Sequence, residues 1–432
     1  MNQSPRLAIG MPVYNGERFL RHTLESILGQ TFRDFVVVIC DNASTDATED
    51  ICRETAAADD RIRYIRNPEN IGAGPNYRKV FRECPPLEFF KWAAHDDPYD
   101  PDFLHLCIDE LDRDSAAVLC HSQTASIDAD GNPFKCWPPR PELSSDDRVA
   151  RLRNVLEHRD TYCIWGVTRH DVLARTPLLG DFPAHDRPLL AELALHGKLL
   201  EIDDVLFFDR EHPDRSVRAF DASRPHEAAV WYDPRNRGKL IFPAWRLCGE
   251  YARAINRVPM PTGERAACFR ELSKWSRDHR EEFFEDLRVG AFRLPLVGAG
   301  LAKLDERRRV RDWQQRTRRA AKEMLEHCGV GARVILIDQG ETDLGEFSDL
   351  STLPLLGEDM AYGGMPATDA EAFEGLERGQ ENGATYLGVL WNAFWWWEHY
   401  FDFTRHIDHS FPCISRSKDL ALFRLASKGG QD

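Results

Sequence analysis

Short apolar runs alternate with amphipathic helical patterns from the beginning of this chain. The runs are shorter than most helices and rich in branched and aromatic residues, which is typical of buried strands. Strands that alternate with helices predict an α/β fold with a Rossmann-like, mostly parallel sheet, whose ligands bind at the carboxyl ends of the strands. The predicted strands span residues 7–11, 35–40, 62–65, 89–93 and 116–120, and the predicted helices span residues 16–29, 45–57, 75–83 and 102–112.

The predicted elements divide the 432 residues into three domains. Residues 1–220 hold the main α/β pattern, residues 221–330 are mainly helical, and residues 331–432 hold a small second α/β pattern. Predicted elements of the small domain are strands at residues 334–338, 385–390 and 418–425 and a helix at residues 369–382.

Composition limits the partners of this chain. The 56 basic and 71 acidic residues give a net charge of -15, which argues against nucleic acid as a partner. An anionic substrate must therefore be met locally, by a metal ion or a few arginines. The 11 cysteines form no Cys-x-x-Cys pair, so neither a zinc site nor a disulfide framework is predicted, and a reducing cytoplasm fits best.

No segment has the pattern of a secretory signal or a membrane span. The longest nearly apolar stretch, residues 387–397, is too short to cross a bilayer, so we expect a soluble or membrane-peripheral protein. Basic residues between 307 and 322 are typical of a solvated helix face, and they also suit contact with anionic phospholipid at the inner membrane surface. The aromatic residues between 391 and 400 fit either a hydrophobic core or a surface that stacks on carbohydrate.

Two adjacent carboxylates follow the fourth predicted strand. Asp96 and Asp97, here called the acid pair, stand between this strand and the next helical pattern, and such a pair suits a hard divalent cation that holds a diphosphate. An Asp-Asp-Pro sequence is also typical of a solvated helix entry. Asp41 ends the second strand, where a carboxylate can accept hydrogen bonds from a nucleobase or a ribose. Ser44 or Thr45 is expected to cap the following helix.

Four motifs occur in order along the chain. They are Pro12-Val13-Tyr14-Asn15-Gly16, Asp41-Asn42-Ala43-Ser44-Thr45-Asp46, Asn70-Ile71-Gly72 with Asn76, and His95-Asp96-Asp97. Together they resemble the motifs of the family 2 glycosyltransferases, and the resemblance covers about residues 6–215. Enzymes of this family have the GT-A fold, use nucleotide-diphosphate sugars and invert the anomeric centre.

The resemblance implies a donor site. Asp41 is expected to read the base, with UDP as the default nucleotide because the N3-H of uracil suits a carboxylate. Asp96 is expected to contact the ribose or the donor sugar. Asp97 is expected to ligate a Mn or Mg ion that bridges both phosphates. The remaining residues are expected to line the nucleotide pocket (Pro12, Tyr14 and Glu17), to ligate the metal (His212) and to contact the diphosphate (Arg210).

The resemblance also implies a base that deprotonates the acceptor hydroxyl. The matching position is Asp186, at the predicted start of a leucine-rich helix. The same spacing fits a helix N-cap, with Pro188 close behind. His185 stands where many similar sequences carry an acidic or small residue, and it is a candidate to share the proton transfer with Asp186.

The expected activity is metal-dependent transfer of a single sugar to a glycan, a lipid-linked glycan or another cell-envelope acceptor. Processive relatives carry a Gln-x-x-Arg-Trp motif and membrane helices, and neither pattern is found in this sequence. The alternative is a non-catalytic carbohydrate-binding or scaffold protein that keeps a decayed transferase fold. A nucleotidyltransferase is disfavoured because no Gly-rich triphosphate loop follows the first strand.

Overall fold

A sheet of eight strands organises the first part of the chain, in the order β3-β2-β1-β4-β7-β5-β6, with β8 also paired to β5. Strands β3, β2, β1 and β4 are mutually parallel, β7 is antiparallel to its neighbours β4 and β5, and β8 runs parallel to β5. The strands are β1 Leu7–Val13, β2 Phe35–Asp41, β3 Ile62–Arg66, β4 Phe89–Trp92, β5 Ala117–Ile127, β6 Pro133–Cys136, β7 Val167–Arg169 and β8 Lys198–Arg210.

The computed structural model describes residues 5–212, 215, 231–237, 239, 241–292, 295–338, 344–356, 364–366 and 368–425, without the side chains of 290–309, 398–399 and 401. The chain separates into two compact units, residues 1–291 and residues 292–432. The three-domain division with boundaries at 220 and 330 stays a prediction.

Helices cover both faces of this sheet and bury two separate cores. Along β1, Leu7 and Ile9 belong to one core and Ala8 to the other, as strand alternation requires. One core is covered by α1, α2 and α4, and the other by α3, α5, α7, α8 and α9. The helices of this unit are α1 Leu20–Leu28, α2 Thr48–Ala58, α3 Ala73–Glu83, α4 Phe103–Arg113, α5 Arg148–Glu157, α6 His170–Leu173, α7 Asp186–His196, α8 Pro243–Arg257, α9 Thr262–Asp278 and α10 Arg280–Phe292.

Helix α7 differs from the surface helices because it is buried on nearly all sides. Helix α1 shows the usual single apolar stripe, formed by Leu20, Leu24 and Ile27. In α7 every residue from Arg187 to Leu195 is buried, and the helix packs against both α5 and α8. This burial fixes the first residue of α7 firmly relative to the sheet.

Burial of Glu192 in α7 predicts a pH-dependent stability. Its side chain is 2% exposed, Arg257 donates to Oε2, and Oε1 is buried with no hydrogen-bond partner among the residues that the structure describes. Burial raises the pKa of Glu192 to about 7. An acid with a raised folded-state pKa binds protons more tightly when folded, so its contribution to stability is complete below the unfolded value of 4.5 and is lost as pH rises towards 7.

We therefore expect the unfolding free energy of the wild type to fall by on the order of 3 kcal/mol from this group over that range. Glu192→Gln should flatten this part of the curve, as measured by urea unfolding at several pH values. The matched control is Glu271→Gln, on the surface helix α9. An identical pH profile for wild type and Glu192→Gln would contradict the prediction.

The second unit, residues 292–432, is built on a mixed sheet in the order β10-β9-β11-β13-β12. Strand β9 is parallel to β10 and β11, and β13 is antiparallel to β11 and β12. The predicted small α/β pattern is therefore confirmed at the level of its elements. They are α11 Pro295–Cys328, β9 Arg333–Ile337, β10 Ser351–Pro354, α12 Asp369–Glu381, β11 Tyr386–Leu390, α13 Trp396–His399, α14 Phe401–Ser410, β12 Cys413–Arg416 and β13 Leu420–Arg424.

Two alternatives left open by the sequence concern this unit. Trp396 and Tyr400 are 3% and 4% exposed and belong to its core, which favours the core interpretation of the aromatic stretch.

The second alternative concerns the basic residues between 307 and 322. Arg316 and Arg319 both donate to the buried carboxylate of Asp419, at 2.7 and 2.6 Å. The side chains of residues 307–309 lie outside the described residues. Among the residues that the structure describes, no helix combines the length and apolarity needed to cross a bilayer.

Candidate functional site

The acid pair lies in the segment that leaves β4, and the end of β8 is hydrogen-bonded to this segment. The N-H of Phe208 donates to the carbonyl of Pro98 at 3.1 Å. The N-H of Arg210 donates to Asp97 Oδ1 at 2.8 Å. These contacts join two segments more than a hundred residues apart and hold the 3%-exposed side chain of Asp97 in place.

His212 follows β8 directly and covers the acid pair. Its Nε2 lies 3.1 Å from Asp96 Oδ2, and its ring centroid lies 4.7 Å from that of Phe19. The side chain is 5% exposed, and Nδ1 is buried without a hydrogen-bond partner among the described residues. The structure therefore brings His212 and the acid pair together. The role of His212 as a metal ligand stays a prediction.

Arg210 is buried beneath the same segment, and its guanidinium bonds to the protein itself. Its Nε donates to the carbonyl of Asp96 at 3.0 Å, and one terminal nitrogen donates to the carbonyls of Ala129 at 3.0 Å and Asp128 at 3.3 Å. The other terminal nitrogen lies 3.1 Å from Nδ1 of His22. These bonds brace the loop of the acid pair. The diphosphate contact of Arg210 stays a prediction.

Three carboxylates are crowded at this point, because Asp209 lies beside the acid pair. Burial raises the pKa of Asp97 well above its ordinary value, and the charges of Asp96 and Asp209 raise it further. Burial also raises the pKa of Asp209, against the opposing effect of Arg215. Burial acts in the same direction on Asp96, but His95 and the hydrogen bond from the covering histidine bring its pKa below the ordinary value. A bound cation would relieve this repulsion.

The donor atoms available here fit a hard divalent cation that is only partly held by the protein. No three His, Cys, Asp or Glu side chains are arranged to hold a metal ion together in the part of the chain that the structure describes. Mg²⁺ commonly binds one or two carboxylates and takes its other ligands from substrate phosphates and water. The acid pair could supply such carboxylates, and its role in metal binding stays a prediction.

The loops that follow β1 and β2 interlock at the carboxyl edge of the sheet. The N-H of Asn15 donates to Ser44 Oγ at 2.9 Å, and the N-H of Ala47 donates to Glu17 Oε2 at 2.8 Å. Tyr14 is 43% exposed beside them, and Pro12 is buried within β1. The side chains of Tyr14 and Glu17 therefore stand at the edge where a ligand of this sheet is expected.

Asp41 is fully buried at the end of β2. Its Oδ1 accepts hydrogen bonds from the N-H and the hydroxyl of Ser44, at 2.9 and 2.6 Å. Its Oδ2 accepts from the hydroxyl of Tyr64 at 2.8 Å and from Arg66 at 2.6 Å. Four donors of the chain itself thus surround this carboxylate, and its contact with a nucleobase stays a prediction.

The expectation that Ser44 or Thr45 caps the next helix is wrong. Helix α2 begins only at Thr48, and the N-H of that residue is bonded by Asp46 Oδ1 at 3.0 Å. The hydroxyl of Ser44 is bonded to Asp41 instead. Asp46 therefore serves the helix end, and its pKa is lowered because hydrogen bonds from Thr48 and the N-H of Glu17 outweigh its burial.

Four asparagines, here called the amide network, brace the exit of β2, and all but the exposed Asn70 are buried. Asn42 Nδ2 donates to Asn70 Oδ1 at 2.8 Å, and Asn67 Nδ2 donates to both Asn42 Oδ1 and Asn76 Oδ1 at 3.0 Å. Asn76 then donates to the carbonyl of Cys40 at 2.9 Å. This network gives the motif around residues 70–76 a structural task, which the sequence alone did not indicate.

Asp186 is the first residue of α7, and its carboxylate is half-buried. Thr161 Oγ1 donates to Asp186 Oδ2 at 2.6 Å, and the N-H of Arg187 lies 2.9 Å from Asp186 Oδ1. The position that precedes the helix is His185, and its side chain makes no capping bond. The carboxylate is thus held by one hydroxyl from outside the helix, and its role as a base stays a prediction.

His185 is buried and contacts residues other than Asp186. Its Nδ1 lies 2.6 Å from the carbonyl of Gly180, and its ring centroid lies 4.8 Å from that of Tyr232. Burial lowers the pKa of His185 below its ordinary value, so the ring is neutral at pH 7.

Two contacts join these parts into one region. A Cβ on Gly16 would lie 2.6 Å from the ring of His95, so the loop after β1 abuts the segment of the acid pair. The half-buried ring of Tyr77 in α3 has its centroid 6.4 Å from that of Trp92, the last residue of β4, and 6.3 Å from that of His185, which precedes α7. The end of β4 and the beginning of α7 therefore both lie beside Tyr77.

The backbone is strained in three of the loops of this region. Asn15, Ala43 and Ala184 have φ values of +50°, +62° and +58°. Non-glycine residues rarely adopt this left-handed conformation, and such strain is concentrated at functional sites. The two alanines carry no sequence signal for it, so this feature could not be predicted.

Part of this chain is similar to known glycosyltransferases. Residues 8–172 match the family model described as glycosyl transferase family 2. Chondroitin synthase of Escherichia coli is 33% identical over 31% of this chain and 19% of that protein, and hyaluronan synthase of Pasteurella multocida is 26% identical over 35% and 15%. The chain covers less than a fifth of either relative. The solved mannosyltransferase PcManGT of Pyrobaculum calidifontis, in complex with GDP-Man and Mn²⁺, has a TM-score of 0.42 and 17% identity over 71% of this chain and 81% of that one.

Proposed function

We propose that this chain, whose residues 8–172 form a family 2 glycosyltransferase domain, transfers a single sugar with inversion from a nucleotide-diphosphate sugar to a glycan, a lipid-linked glycan or another cell-envelope acceptor. The observation that carries the proposal is the contact between His212 and Asp96 at 3.1 Å, together with the bond from Arg210 to Asp97. It joins two motifs of the donor site that lie far apart in the sequence.

A Mn or Mg ion bound at the acid pair would neutralise the diphosphate leaving group. Asp97 and His212 would hold it, with Asp96 directed to the ribose or donor sugar. The crowded carboxylates support this assignment because they raise the pKa of Asp97 when no cation offsets their charge. Arg210 would act mainly as a positioning residue, since its guanidinium already bonds to the carbonyls around the acid pair.

The nucleotide would occupy the edge formed by the loops after β1 and β2. Tyr14 is exposed there and offers a ring for the base, while Pro12 and Glu17 support the loop. Asp41 could bond a uracil N3-H only by exchanging one of its present donors, and Arg66, with a side chain that is 34% exposed, is the one nearest to solvent. UDP therefore remains our default donor nucleotide.

The acceptor hydroxyl would lose its proton to a carboxylate oxygen of Asp186. The oxygen of the acceptor hydroxyl would then form the new bond to the anomeric carbon. The bond from that carbon to the diphosphate oxygen would break on the opposite face. The hydrogen bond from Thr161 orients the carboxylate for this task. His185 would position the helix end, since its Nδ1 is bonded to a carbonyl and its ring is neutral.

Curated relatives named for chondroitin and hyaluronan synthesis support a glycan as acceptor. The negative net charge supports the exclusion of nucleic acid. We place the reaction in the cytoplasm, with peripheral contact to the inner membrane surface where the acceptor is lipid-linked.

A ligand screen by thermal unfolding tests the proposal. We expect one of UDP, GDP or dTDP with Mn²⁺ or Mg²⁺ to stabilise the protein by about 2.7 kcal/mol at a hundredfold excess over Kd, seen as a rise of a few degrees in Tm. The nucleotide without metal should give a smaller rise. If none of the three nucleotides raised Tm, either with or without the metal ion, the proposal would be refuted.

A further inference from the structure

A tryptophan in the loop after β6 lies outside the two hydrophobic cores of the first unit. Trp137 follows β6, and its ring is half-buried. Its Nε1 donates to Ser126 Oγ at 3.0 Å, which fixes the orientation of the ring. Within the described part of unit 1, Trp137 is not among the residues packed on either core. A fixed aromatic ring that is not needed for the core is suited to contact a ligand.

The ring of Trp137 is connected to Asp209 through Ser126. Ser126 pairs in register with Asp209, so both side chains lie on the same face of the sheet. The ring of Tyr162 lies 4.7 Å from that of Trp137. The pKa of Tyr162 is raised by burial and then by nearby charges, of which Asp209 acts most strongly and Asp97 also contributes. The charges of Asp209 and Asp97 therefore both act on Tyr162.

The same segment reaches the proposed base. Thr161, the neighbour of Tyr162 in the chain, donates the 2.6 Å hydrogen bond to Asp186. Contacts and chain connectivity through the two aromatic rings therefore link the region of Asp209 to Asp186. An acceptor sugar whose hydroxyl reaches Asp186 would lie near Thr161 and these rings.

We propose that Trp137 and Tyr162 form the acceptor subsite and stack on the apolar C-H face of a pyranose ring. This inference rests on the proposed function. Lys135, whose Nζ lies 3.4 Å from the centroid of the Trp137 ring, covers the ring while the subsite is empty. The exposed lysine moves aside when a sugar enters, and its ammonium then bonds to a sugar hydroxyl at the rim.

The test uses the full chain with a nucleoside diphosphate and Mn²⁺, and titrates cellobiose, chitobiose, lactose and mannobiose by calorimetry. We expect wild type to bind at least one disaccharide. Trp137→Phe, which keeps an aromatic face, should stay within about threefold of wild type. Trp137→Leu, which keeps apolar bulk without that face, should weaken binding by about tenfold. In transfer assays the same loss should appear in KM and leave kcat nearly unchanged.

The matched control is Trp245→Leu, at a half-exposed tryptophan on α8, which should not change disaccharide binding. Nucleotide affinity is measured for each variant and should equal that of wild type, which also verifies folding. Intact nucleotide binding with disaccharide affinity unchanged in Trp137→Leu, or with no disaccharide bound by wild type, would overturn the subsite alone. Failure of every nucleotide to bind would instead overturn the proposed function.

Discussion

Replacement of Asp97 by asparagine should lower the rate of sugar transfer at least about a thousandfold and leave the protein folded. The loss corresponds to about 4 kcal/mol of transition-state stabilisation, a magnitude within reach of a cation that neutralises a diphosphate leaving group. The amide oxygen of the new side chain can still accept the N-H of Arg210, so the loop should keep its shape. The measurement is release of nucleoside diphosphate with saturating Mn²⁺, together with Mn²⁺ affinity from titration.

The stability of the Asp97→Asn variant should depend on pH in a defined direction. The folded-state pKa of Asp97 lies above the ordinary value of 3.8, so its ionisation opposes folding as pH rises past that value. The variant lacks this charge, and its gain in unfolding free energy over wild type should grow from acid to neutral pH. Asp60→Asn, at an exposed position, is the matched control and should change neither activity nor stability. Wild-type activity in Asp97→Asn would exclude a metal role for the acid pair.

Replacement of Asp186 by asparagine should reduce transfer by about a hundredfold to ten thousandfold, the usual contribution of a general base. The amide can accept the hydrogen bond from Thr161 but cannot take a proton at neutral pH. Because the proposed role of Asp186 concerns the acceptor, binding of the nucleotide and Mn²⁺ should remain unchanged. The measurement compares kcat for transfer with nucleotide affinity in the same preparation.

Thr161→Val tests the hydrogen bond that orients the proposed base separately from the base itself. It removes the hydroxyl and keeps the carboxylate, so we expect a loss of less than about tenfold from poorer orientation alone. If Asp186→Asn kept transfer within about threefold of wild type, the base would lie elsewhere. Loss of transfer in His185→Gln under those conditions would assign the task to the histidine.

Much of the fold could be predicted because its signals are local. The predicted strands at residues 7–11, 35–40 and 62–65 lie within β1, β2 and β3, since runs of buried branched residues are hard to mistake. Helix ends were less accurate: α1 begins at Leu20 and not near residue 16, because the loop before it is bonded to the loop after β2. The α/β fold class and the family 2 resemblance are confirmed.

The site was predictable only where a motif recurs in the family. His212 lies against Asp96, while the expected roles of His212 and Asp97 as metal ligands stay predictions. The burial of Arg210 under backbone carbonyls could not be predicted, since a sequence does not reveal which groups a guanidinium will find. The same holds for Trp137, whose role depends on the pairing of Ser126 with Asp209 across β5 and β8.

The amide network has a consequence for how the enzyme should respond to acidity. Its members carry no ionisable proton, so the loop after β2 keeps these hydrogen bonds over the whole range in which carboxylates titrate. A pH profile of transfer would therefore report on the carboxylates of the proposed site, Asp41 among them, and not on a change in the shape of this loop.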